Sequence, residues 1–253
     1  MFSEANVTLL KNIIEQDLLK AIGETLYMTF LPTILAFIVG LPLGVLLVTG
    51  DDNGIHPLPR PLMAALNVII NLLRSVPFLI LLVVVLPLSK LFVGTTVGSK
   101  AIIVPLAIAA FPFIARLVET SIREVDQGVV EAAQSMGASP WQIITKVLIP
   151  EARPALISNF MVAMITIFGY GAMAGILGGG GLGAISINYG YYRRRALVMY
   201  FAVLLLVLLV QLFVLALSPV ASPASWTAPL SNQGNYHEAS SYPTEIKQCY
   251  KST

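Results

Sequence analysis

Charge is scarce in this chain. Charged residues fill 11% of its 253 positions, against roughly 25% in an ordinary soluble domain. A globule of this size cannot be covered with so little charge, and the 57% hydrophobic content and mean hydropathy of +0.82 make lipid the expected solvent. Cysteine occurs once, at Cys249, which excludes an intrachain disulfide. The two histidines, His56 and His237, stand far apart in polar, proline-containing contexts, so a His/Cys metal site is not expected. The formal net charge is +2 without a dense Lys/Arg patch, which argues against nucleic acid as a partner. No basic n-region opens the chain, where Glu4, Lys11, Glu15, Asp17 and Lys20 mix signs, so a cleaved signal peptide is not expected.

Catalytic signatures are missing as well. "GTTVGSK", residues 94–100, has the wrong glycine spacing for a phosphate-binding loop and lacks Ser or Thr after the lysine. Gly178, Gly180 and Gly183 fit G-x-G-x-x-G, but almost automatically within "GGGGLG", and they follow an apolar stretch instead of a strand. No H-E-x-x-H or G-x-S-x-G is present. Asn6-Val7-Thr8 fits a glycosylation sequon, a low-information match.

What is present is a series of apolar runs. A span needs about 20 mostly apolar residues. Candidates fall near 26–49, 62–88, 101–118, from 155 onward, and 196–217. The count is five, and the fold class is an all-α membrane protein. The glycine-rich stretch around 178–190 reads as a loop. Residues 1–24 form an N-terminal segment in which Leu9, Leu10, Ile13, Ile14 and Leu18 follow helical spacing. Two placements stand for this amphipathic helix: along the membrane surface, or packed on the protein. Residues 218–253, rich in Ser, Pro, Thr and Asn, are expected to be a disordered or atypical tail. The span interiors hold no Asp or Glu, which speaks against a carrier coupled to protons or sodium. Arg74 is read as the one charge inside a span. It is either a snorkelling side chain or part of a transport pathway. Five spans put the termini on opposite sides. The Lys/Arg count of the two sides is close to a tie and does not choose the orientation.

Between the third and fourth spans lies a polar insert, residues 119–153, that contains "EAAQSMGASPWQIITKVLIP". Gly137 is placed to stop a helix by adopting positive φ. Ser139 reads as an N-cap, with Pro140 at the first helical position and Gln142 completing a capping box. Trp141, Ile144, Val147 and Leu148 give the second helix an apolar face, and Pro150 is expected to end or bend it. Two short helices meeting at a sharp corner would project as a knob. Helix connections in bundles usually take about 2–8 residues, so an insert of this length with its own caps points to docking.

This segment resembles the EAA motif of the permease subunits of ABC importers. Glu131, Ala132, Ala133, Gly137 and Pro150 match the motif, while Val147 and Ile149 depart from its commoner residues. "NLLRSVPFLILL", "AFPFIARLVETSIREV" and "GYGAMAGILGGGGLGAISINYGYY" look like the short, five-span permeases of methionine importers. The resemblance implies a multi-pass protein of the bacterial inner membrane, with the N-terminus outside and the C-terminus cytoplasmic. Glu131, Ala132, Ala133, Ser135, Met136, Gly137, Ala138 and Pro150 would form the coupling segment. The implied partners are a second copy of the chain, two ATP-binding subunits and an extracytoplasmic substrate-binding protein. The chain itself would be no enzyme and bind no cofactor, with ATP and Mg on the ATPase. Arg74, Tyr170 and Met173 are the candidates for the substrate path, a soft thioether suiting an apolar amino-acid side chain; simple helix packing is the other reading of Met173. A permease for another small solute, or a stand-alone carrier or channel, are the alternatives. Gly40-x-x-x-Gly44 and Gly171-x-x-x-Gly175 offer close helix packing. The run Arg193-Arg194-Arg195 does not look like the family and falls on the implied outer side, against the usual charge bias.

Overall fold

The computed structural model describes Thr8, Lys11 and residues 17–221, and the regular elements among these are all helical, with no strand. Most of the amphipathic N-terminal segment and the tail from residue 222 lie outside the described residues. In chain order the long elements are α1 (Leu18–Thr49), α2 (Arg60–Ser75), α3 (Phe78–Val93) and α4 (Ser99–Arg123). They are followed by α5 (Gln127–Ser135), α6 (Pro140–Ile143), α7 (Ile149–Glu151), α8 (Arg153–Ala174), α9 (Gly181–Ile185) and α10 (Ala196–Ala221). Among the described residues, four helices are long and apolar enough to cross a membrane, or five spans if α2 and α3 are taken as a pair.

That pair corrects the sequence reading of one continuous span. The helix breaks at Val76-Pro77, and the two halves meet at 107°. Proline disfavours helical backbone in the residue before it, and Val76 is extended, at φ −76°, ψ 126°. The glycine-rich stretch is a second correction. It is helical, with a 3-10 turn at Gly175–Leu177, then α9, then a π-helical stretch at Ser186–Tyr192. Two of its N–H groups, those of Gly181 and Leu182, donate to Glu24 and Thr25 of α1.

The core lies between α1, α4 and α8, with Met28, Ala36, Leu106, Ala110, Ile114, Val118, Ala163 and Ile167 buried together. Close approach of α1 and α4 depends on Gly40 and Gly44. A Cβ on Gly40 would stand 2.8 Å from Ile114, and one on Gly44 would stand 2.6 Å from the Ala115 carbonyl oxygen. This small-residue motif therefore packs within one chain. Of the other motif, Gly175 packs against Gly183 and Ala184, while a Cβ on Gly171 would meet nothing within 4 Å. Asn159 adds polar glue, its Nδ2 donating to the Leu117 carbonyl at 3.2 Å and Ser121 Oγ at 2.8 Å, which ties α8 to α4.

The two ends of the bundle differ. At one end the loop after α1 faces the 124–152 insert, and Arg123 Nη2 donates to Asp51 Oδ2 at 3.1 Å. At the other, Gly98 N donates to the Gly178 carbonyl at 3.1 Å and Gly181 N to Glu24 Oε2 at 2.8 Å.

Candidate functional site

The insert begins with a cap the sequence reading did not single out. Asp126 Oδ1 accepts from Gly128 N at 2.8 Å and starts α5. Helix α5 stops as expected, with Gly137 at φ +78° and its N–H donating to the Gln134 carbonyl at 2.9 Å. Ala138 N then donates to the Ala133 carbonyl at 3.1 Å. Ser139 and Gln142 form the capping box, the Ser139 N–H donating to Gln142 Oε1 at 2.9 Å. Ala133 is buried and Ala138 half-buried against the core, whereas Glu131, Ala132, Ser135, Met136 and Gly137 are exposed. The corner is thus anchored from below and open above.

Two expectations about the second half need correction. Trp141 is not on the buried face; it is 72% exposed, and Ile143 is buried with Leu148 instead. The helix does not end at Pro150 but runs through it to Glu151. Proline has no N–H to return to the carbonyl four residues earlier, and the backbone absorbs this as a π-helical stretch, Ile144–Leu148, with Ile149 N bonded to the Ile144 carbonyl. Helix α7 carries Pro150 in its first turn and runs nearly into α8. Met136, 81% exposed, and Trp141 together give the knob a large apolar tip beside polar side chains. Beneath it, a groove of about 300 Å³ is lined by Asp51, Arg123, Gln127, Glu131 and Gln134 among others. The Arg123 guanidinium beside Asp51, and then the Asp52 backbone N–H, hold the Asp51 carboxyl below its usual value.

Of the three pathway candidates, two come together. Arg74 and Tyr170 line one cavity of about 190 Å³ with Phe78, Ala109 and Phe113. Phe78 stacks on Tyr170, ring centroids 4.2 Å apart and nearly parallel. Met173 lies one turn further along α8, half exposed and outside that lining. Arg74 sits exposed in the last turn of α2, and it is not the only charge within a span. Arg116 lies inside α4 and Glu119 one turn later. Arg116 Nη1 donates to Glu119 Oε2 at 2.6 Å, and its Nη2 donates to Asn67 Oδ1 at 2.8 Å and Asn71 Oδ1 at 3.0 Å. These partners are 45 and 49 residues away in sequence, beyond the reach of any local pattern.

Residues 40–222 match the family described as binding-protein-dependent transport system inner membrane component. The chain belongs to this family. The permease is 48% identical over 195 residues, 77% of its length and 86% of the relative's, to a probable D-methionine transport system permease protein MetI of Vibrio cholerae. It is 45% identical over 158 residues, 62% of its length and 72% of the relative's, to the D-methionine transport system permease protein MetI of Escherichia coli K12. It also resembles a solved chain of the MetNI methionine ABC transporter in an inward-facing conformation, with TM-score 0.79 and 42% identity over 87% of this chain and 98% of that one. A chain of an amino acid ABC transporter solved with histidines, at 18% identity and TM-score 0.69 over 87% of this chain and 98% of that one, shares the fold. The permease is accordingly a multi-pass inner-membrane component of an ABC importer, a transport subunit rather than an enzyme.

Proposed function

We propose that this permease carries methionine, including the D-form, from an extracytoplasmic binding protein into the cell, as one half of a homodimer driven by two ATPase subunits. In the proposed topology of five spans, α2 and α3 together form the second, the N-terminal end of α1 lies outside and the knob lies in the cytoplasm, where an ATPase subunit can reach it. Residues 25–217 are the span domain and 119–153 the coupling segment. The carrying observation is the open corner. Met136, Gly137 and Ala138 sit between two capped helices whose inner faces are buried and whose apolar tip is exposed. Such a tip on a firm base suits a groove on another subunit. ATP and Mg belong on that subunit. Its closure would draw the two knobs of a dimer together and rock the spans between inward- and outward-facing states. The cavity of Arg74 and Tyr170, with Met173 one turn away, is the proposed wall of the substrate path. Methionine as the substrate is supported by the names of the relatives at 45–48% identity.

Gly137→Asp tests the docking. A charged side chain at the tip should abolish co-purification of the ATPase and ATP-driven uptake together; wild-type levels of both would show that the knob is not the coupling site. For the substrate, uptake of radiolabelled D- and L-methionine is measured in proteoliposomes holding permease, ATPase and binding protein. Competition by excess unlabelled methionine but not by other amino acids is the expected result. Transport by the permease alone would instead favour a stand-alone carrier.

A further inference from the structure

Helix α4 ends at Arg123, only a short turn before α5 begins at Gln127, so a displaced knob would pull directly on it. The cavity wall that must move includes Arg74, at the far end of α2. Nothing in the covalent chain makes α2 follow α4. The 107° break at Val76-Pro77 separates α2 from α3, and of the 16 residues of α2 only Met63 and Ile70 are buried. Their apolar contact is a small cluster with Leu47 and Ala115.

Arg116 supplies the missing link. Its guanidinium spans the gap between the helices, one nitrogen on Glu119 of its own helix and the other on two carboxamide oxygens of α2, four residues apart and therefore on one face. Asn67 is held for the purpose, because its Nδ2 donates to the Met63 carbonyl at 3.0 Å and leaves its oxygen turned to Arg116. The ladder continues through Glu119 to Arg123 and from Arg123 to Asp51. The side chains of Arg116 and Glu119 are 21% and 13% exposed, so this ion pair is less screened by solvent than a surface one. The planar fork permits one residue to engage three partners at once; a lysine offers a single point charge in its place.

We propose that Arg116 is a positioning residue for energy coupling: it clamps α2 to α4, so that displacement of the coupling segment is delivered to the cavity wall at Arg74. The proposal rests on the docking role of the knob argued above. Without the clamp, α4 moves while α2 lags, and ATP is consumed without a matching movement of substrate.

The decisive readout is substrate transported per ATP hydrolysed, in proteoliposomes with ATPase and binding protein, for Arg116→Gln, Arg116→Lys and the α2-side double variant Asn67→Ala/Asn71→Ala. Each should lower the ratio by roughly threefold or more, with ATPase co-purification unchanged. A purely structural role would reduce both rates through loss of assembled complex and leave the ratio alone. An unchanged ratio in the Asn67→Ala/Asn71→Ala variant, which keeps every charge of α4, overturns the proposal even if Arg116→Gln fails to fold. So does a wild-type ratio in Arg116→Lys. Loss of co-purification in Gly137→Asp belongs to the docking reading and is scored separately.

Discussion

Two glycine corners, one at each end of the bundle, use the same residue for opposite ends. At Gly137 a Cβ would meet nothing within 4 Å; only the φ of +78° requires glycine. At residues 178–183 space is the stricter demand. A Cβ on Gly183 would lie 2.5 Å from the Ala172 carbonyl oxygen, one on Gly179 2.8 Å from that of Ala174, and one on Gly181 2.7 Å from Thr25 Oγ1. The first corner is empty above because it offers a surface. The second is full because it is a joint, held to α1 by Glu24 on Gly181 N and by Thr25 Oγ1 accepting from Leu182 N at 2.9 Å.

That contrast can be broken from either side. The largest effect is expected at the joint: Gly183→Val drives a branched side chain into backbone that cannot yield, and should cost about 3 kcal/mol or more, read as loss of folded protein in a detergent melt. Next is Glu24→Ala, which removes a charged acceptor from a part-buried N–H and should cost about 1.5–3 kcal/mol in the same assay. Gly137→Ala should cost only about 1–2 kcal/mol, the strain of a left-handed L-residue; a loss as large as that of Gly183→Val would mean the corner is not open. The smallest effect concerns Asp51, beside the open corner. Its carboxyl is held below the usual value by Arg123 first and the Asp52 N–H second, so its contribution is full above the ordinary carboxylate range and is lost as pH falls through the depressed value. Stability of the wild type should therefore drop more than that of Asp51→Asn between about pH 6 and about pH 3. The gap should be slight, because both partners are half exposed.

The open corner was legible in the sequence and the joint was not. Caps are local: Ser139, Pro140 and Gln142 lie within four residues and carry their own geometry. The joint depends on Glu24 and Thr25, 157 residues from the N–H groups they accept from, so its glycines read as a loop. Hydropathy located the spans because it sums over windows. For that reason it passed over the corner at Val76-Pro77, although the proline was visible, since a window records apolar content and not direction. Arg116 stands among apolar neighbours, and its meaning lies in Asn67 and Asn71, which no spacing rule connects to it. A regular helical period puts Trp141 on the face of Leu148, but the π-helical stretch before Pro150 changes the register and buries Ile143 instead.

The outward position of Trp141 has a practical side. Only two tryptophans occur in the chain, Trp141 and Trp226, and Trp226 lies outside the described residues. An indole at the rim of the knob is a native optical probe. In a Trp226→Phe background its emission maximum and its quenching by iodide report directly on whether the surface is wet or covered, so formation of the complex can be followed in real time without attaching a dye.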